Sequence, residues 1–83
     1  MVEAKVSAEV IKELLEIARH AVKLPMRSVW LDYDAEADVL YVSLRRPQQA
    51  TQSRLLDDGV ILRFRGKELV GVTILDASRR RRR

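Results

Sequence analysis

The stretch from Trp30 to Leu44 limits the fold more than any other part of the chain. Two short apolar runs flank an acidic turn, which is the pattern of a β-hairpin. In an extended chain Val29, Leu31 and Tyr33 point one way and Trp30 and Asp32 the other. After the turn, Leu40, Val42 and Leu44 share one face, and Val39, Tyr41 and Ser43 share the opposite one. β-Branched and aromatic residues fill both runs, as a pleated surface favours. The turn lacks Asn-Gly or Asp-Gly, so a loop of about four or five residues fits better than a two-residue turn. Asp34 at its entry is placed to accept hydrogen bonds from amides just downstream, closing an Asx turn.

On either side of the hairpin the pattern changes. Ser7 is a candidate N-cap, with Glu9 in the first turn, where the helix dipole favours an acid. Val10, Ile11, Leu14, Leu15, Ile17, Ala18, Ala21 and Val22 recur at helical spacing. Lys12, Glu13, Glu16 and Arg19 take the other side, and Lys12–Glu16 and Glu16–His20 are spaced to support each other. Pro25 stops the helix, because the residue before a proline avoids the α region. A helix is predicted over about 7–23. Beyond the hairpin, Pro47 argues against a central strand in the polar stretch Arg45–Ser53. Gly59–Phe64 and Leu69–Leu75 read as strands joined by a turn at Arg65–Glu68. Residues 54–57 extend the third strand or form a short one of their own. The fold class is α+β: an N-terminal amphipathic helix packed on a small antiparallel β-meander of about four strands over 29–75, in one domain.

That arrangement leaves a problem. Leu40, Val42, Leu44, Val60, Leu62, Phe64, Val70, Val72 and Ile74 make one apolar sheet face, which the single helix can cover. The other face carries Trp30, Val39, Tyr41, Ile61, Leu69 and Leu75, with Arg63 and Thr73 among them. A face left in water usually reads more polar than this, and large exposed apolar patches mark interaction sites. A homodimer meeting through Trp30, Tyr41 and Ile61 is the expected solution, the alternative being a helix exchanged between copies, with Leu14 and Leu15 as the sensitive positions. A chain of 83 residues buries only about 60–65% of its unfolded surface, and oligomerisation is a common remedy for so thin a margin.

The net charge is +4, but five of the 16 basic residues are Arg79–Arg83; without them 11 basic residues face 12 acidic ones. The body is therefore not basic, and the positive excess sits in one block. The chain has no cysteine, which excludes disulfides and thiolate metal sites. Its longest apolar stretch, Leu69–Leu75, is too short to span a bilayer. With acidic Glu3 and no long apolar run near the start, no secretory signal is expected. These features point to a cytoplasmic protein with no membrane contact.

Tyr33-Asp34-x-Glu36-x-Asp38-x-Leu40-Tyr41-Val42, followed by Gly59-Val60 and then Val70-Gly71-x-x-Ile74-Leu75-Asp76-Ala77-Ser78, resembles the bacterial and archaeal family known as domain of unknown function 2283. The resemblance covers about Trp30 to Ser78. It implies a small β-meander with helical additions and brings no established activity. The family commonly has an acid where Thr73 stands. Some of its members resemble partners of small toxin-like proteins, which hints at an antitoxin-like role.

Several residues invite a chemical reading. Asp32, Asp34, Glu36 and Asp38 alternate like the ligands of a calcium loop. An EF-hand opening at Asp32 needs glycine at 37 and a bidentate glutamate at 43; Ala37 and Ser43 stand there. Asp34, Glu36 and Asp38 are read as hairpin-turn chemistry, with no metal or cofactor. Paired carboxylates do acid–base work in enzymes, but no nucleophile stands near these, and none of the serines has a nucleophile-elbow context. The single histidine, His20, is read as a surface residue of the helix. Gly71, inside a strand, marks a bulge or the close approach of another side chain. Trp30 and Tyr41 have the chemistry to stack on bases, but the body lacks the positive charge to go with it, so an interface is favoured. Arg79, Arg80, Arg81, Arg82 and Arg83 read as a solvated tail able to hold polyanions without sequence preference, or as the continuation of a short helix entered at Asp76. The sequence thus points to a non-enzymatic, homo-oligomeric protein-interaction module. The alternative is an antitoxin-like partner of a small toxin, with the arginine tail touching nucleic acid.

Overall fold

The computed structural model describes residues 7–56 and 58–80. Ser7 opens the helix α1 (Ala8–Ala21): its backbone is extended and its Oγ accepts from the Val10 amide at 3.2 Å. Glu9 lies in the first turn and Arg19 and His20 in the last, each on the side the helix dipole favours. Glu16 takes the Arg19 guanidinium one turn on, at 2.8 Å. The predicted end at 23 overshoots by two residues. Lys23 and Leu24 donate to the carbonyls of His20 and Ala21, three residues back, so the chain tightens into turns ahead of Pro25.

Five strands follow: β1 (Trp30–Asp34), β2 (Val39–Ser43), β3 (Gln52–Leu55), β4 (Val60–Arg65) and β5 (Glu68–Leu75), then a 3₁₀ turn at Ala77–Arg79. The α+β class is as expected, with five strands rather than four. The additional strand is β3, built from residues of weak strand character and paired with β4 alone. All pairings are antiparallel and the order is β1-β2-β5-β4-β3. The meander expected throughout holds for β3–β4–β5, but β5 rather than β3 lies beside β2. The connection from Leu44 to Thr51 therefore carries the chain to the far edge of the sheet.

The register defines two faces. Asp32, Tyr41, Thr73, Ile61 and Leu55 form one cross-strand row, and Trp30, Ser43, Gly71, Arg63 and Ser53 form the next row on the same side. The opposite face carries Leu31, Leu40, Val42, Val72, Leu62 and Ile74. Arg63 pairs with Gly71 and Phe64 with Leu69, so Val70 is an extra residue in β5. Val70 is fully enclosed; besides it, only Val39 is a buried hydrophobic residue among those described.

The helix does not close the sheet. No strand makes more than marginal contact with α1, and none of its residues is buried. Leu14 and Leu15 are 53% and 61% exposed. An open groove of about 560 Å³ separates Ile17 and Ala21 of the helix, and Leu24 just beyond it, from Leu31 and Val42 of the sheet.

Candidate functional site

The acidic turn folds as its residue types predict. Four residues, 35–38, join β1 to β2. Asp34 Oδ1 accepts from the amides of Glu36 and Ala37 at 3.1 and 3.2 Å, closing the Asx turn. Glu36 is exposed at the tip. Asp38 has a different task. It adopts a left-handed backbone, φ 56°, which a short polar side chain tolerates better than most. Its Oδ1 accepts from the Tyr33 hydroxyl at 2.7 Å and from the Ser78 amide at 3.0 Å, and its Oδ2 accepts from the Ser78 hydroxyl at 2.8 Å. Its carbonyl accepts from the Ala77 amide. One carboxylate thus ties the first hairpin to the end of β5. The hydrogen bond from Tyr33, aided by the two from Ser78, holds the Asp38 carboxyl below its ordinary value. The same bond pushes the Tyr33 phenol up.

The Ser78 hydroxyl donates to a carboxylate that already has two other donors. Among the described residues no three His, Asp or Glu side chains converge as metal ligands. Asp76, expected as a cap for the terminal helix, stands at the N-cap position without a side-chain capping bond; its carboxylate lies 3.9 Å from the Arg79 guanidinium.

Trp30, Tyr41 and Ile61 share one sheet face, with Thr73 between Tyr41 and Ile61 and Trp30 in the next row. Tyr41 is exposed, while Trp30 and Ile61 are half-buried. Part of the cover comes from the chain itself. Gln48, in the β2–β3 connection, donates to Ser43 Oγ at 2.8 Å and lies over Gly71, where a Cβ would come within 2.6 Å of its carboxamide. Gly71 therefore answers both readings, standing beside the bulge and beneath another side chain. Arg63, in the same row, has a buried Nε with no hydrogen-bond partner.

Of the arginine block, Arg79 and Arg80 are described, and Arg81, Arg82 and Arg83 lie outside the described residues. Arg80 folds back, its Nε and Nη2 donating to the Leu75 carbonyl at 3.0 and 2.6 Å. This places the guanidinium over Gly59, 2.9 Å from where a Cβ would stand. Gly59 also needs its freedom for a φ of 81°. Sequence reasoning missed both the Asp38–Ser78 tie and the Arg80 contact. The one signal for the first was the pairing of two short polar motifs that lie 40 residues apart in sequence.

On the other side of the sheet, the groove between α1 and the sheet opens onto Leu31 and Val42. No helix among the described residues is long and apolar enough to cross a membrane.

Comparison with curated proteins and with solved structures finds no match. A family model described as a protein of unknown function, DUF2283, matches residues 30–78. The match begins at the first residue of β1 and ends at Ser78, so both partners of the Asp38–Ser78 tie fall inside it, and it spans more than half the chain. The chain belongs to the DUF2283 family, with α1 lying ahead of the part the family shares.

Proposed function

We propose that this protein is a small, non-enzymatic, cytoplasmic module whose business is association with further copies of itself. The observation that supports the reading is surface area. A compact monomer of 9.6 kDa exposes about 5,100 Å². This chain exposes 7392 Å², an excess of roughly 2,300 Å². Without the ten residues outside the description, which can expose at most about 1,800 Å², the rest exposes at least about 5,600 Å² against about 4,600 Å² for a compact monomer of its own mass, an excess of about 1,000 Å². A standard interface takes about 800 Å² from each partner. The excess is apolar in character: seven hydrophobic residues between Val10 and Leu24, together with Leu31 and Tyr33 on the sheet, are 45% exposed or more, apart from the smaller alanines. So little enclosed core leaves a single copy short of the burial that stable small domains need.

Sedimentation at micromolar concentration tests this. A mass of two chains or more is expected; a well-folded monomer overturns the reading. The alternative occupant of the surface is a small toxin-like protein, with the arginine tail on nucleic acid. Purification from the native host separates the two, because that reading requires a stoichiometric second protein.

A further inference from the structure

We infer that the occupant of the uncovered sheet face is helix α1 of a second copy, given in exchange for the helix of the first. The inference rests on the self-association proposed above and names the surfaces that carry it. The helix presents only the margin of its apolar side to its own sheet. Glu13, Glu16, Ile17, His20, Ala21 and Leu24 line the groove. Val10, Ile11, Leu14 and Ala18, the middle of the apolar stripe, lie roughly 110° further round the helix. The margin of the stripe, Ile17 and Ala21 with Glu13, Glu16 and His20 beside them, thus borders the chain's own sheet, and the middle of the stripe is turned aside from it.

The sheet has the complementary lack. Leu31, Leu40, Val42, Leu62, Val72 and Ile74 form a continuous apolar surface against which α1 makes at most marginal contact. A sheet face of this kind needs a second layer. The dimensions agree: 14 residues of helix run about 21 Å, and five strands span about 19 Å between their outer axes. A reciprocal exchange covers both stripes and both faces through one two-fold interface. It also uses an area of the size left over in the single chain.

Disulfide trapping tests the exchange, since the chain has no cysteine of its own. Ala18→Cys chains are mixed with Leu62→Cys chains and oxidised mildly. The expected main product is a mixed disulfide joining one chain of each kind. A product made of Ala18→Cys chains alone, bridged helix to helix, overturns the inference. So does a bridge within single Ala18→Cys/Leu62→Cys chains, which would show the helix lying on its own sheet. Leu14→Glu provides a second measurement, because Leu14 is exposed and its replacement leaves the fold of the sheet alone. Its association is expected to weaken by at least about tenfold, while Tyr41→Glu, on the other face, associates like the parent. Splitting by Tyr41→Glu and not by Leu14→Glu sinks the inference but keeps self-association. A folded parent that sediments as a monomer sinks both.

Discussion

Ser78 reaches back 40 residues to Asp38 and gives it two hydrogen bonds, the amide to one carboxylate oxygen at 3.0 Å and the hydroxyl to the other at 2.8 Å. Removing the hydroxyl in Ser78→Ala is expected to cost about 0.5–1.5 kcal/mol. Asp38→Ala strands three donors and leaves alanine at a positive φ, so it should lower the melting temperature further than Ser78→Ala. Thermal melts of the two variants and of the double variant check this. Additive losses would mean that the two side chains do not act together.

The same cluster sets a pH dependence with two limbs. Asp38 titrates below the ordinary 3.8 in the folded chain, so its contribution is fully present above that value and disappears as pH falls through the lowered one. Tyr33 titrates above 10.0, so its contribution is present below 10.0 and disappears as pH rises past it. Tyr33→Phe is expected to flatten the alkaline limb and weaken the acid one. Melting temperatures measured across the pH range decide, and an alkaline limb unchanged in Tyr33→Phe would count against the assignment.

The Asx turn gives a simpler expectation. Asp34→Ala leaves the amides of Glu36 and Ala37 without their acceptor and should destabilise by about 0.5–2 kcal/mol, as lost side-chain caps do. Calcium and magnesium should leave the parent's melting temperature unchanged. A metal-dependent rise in the parent that vanishes in Asp34→Ala would reveal a cation site.

Gly71 and Gln48 are coupled. An alanine at 71 collides only with the far end of a flexible side chain, so Gln48 can swing aside and lose its bond to Ser43. Gly71→Ala and Gln48→Ala should each cost about 1 kcal/mol, and the double variant little more than either. Fully additive losses in denaturant unfolding would disprove the coupling.

At the arginine end, the Arg80 guanidinium is committed to the Leu75 carbonyl. Deleting Arg81–Arg83 should leave the melting temperature unchanged, and deleting Arg79–Arg83 should abolish most affinity for nucleic acid. If four arginines neutralise phosphates, log K against log salt should slope by roughly −2.8 to −3.6. Binding that survives the longer deletion would place a nucleic-acid site on the body.

Much of this fold was legible because local chemistry agreed with it. Ser7 started the helix, Asp34 closed its turn, and alternation in β2, β4 and β5 assigned each side chain a face except at the bulge, where Leu69, expected on the face of Leu75, pairs with Phe64 instead. β3 was obscure because Gln52, Ser53 and Arg54 have no strand preference and are held by pairing with β4 alone. The strand order was obscure for a related reason: alternation tells which way a side chain points and says nothing about which strand lies next. The relation of α1 to the sheet went the same way. Its periodicity identified an apolar stripe, expected to cover the chain's own sheet face, but the two make only marginal contact. At the candidate site, the motif residues were identified, but the bond between Asp38 and Ser78 depends on β5 returning beside β2.

That return gives the last strand an unusual place in the making of the protein. β1 pairs with β2, and β3 with β4, but only β5 touches both pairs. During synthesis the ribosome releases two separate hairpins first, each too small to persist in water by itself. They become one sheet when residues 68–75 emerge and slide between them. A chain stopped short of Glu68 should therefore have no partly folded refuge, and a protease should degrade it as readily as an unfolded peptide.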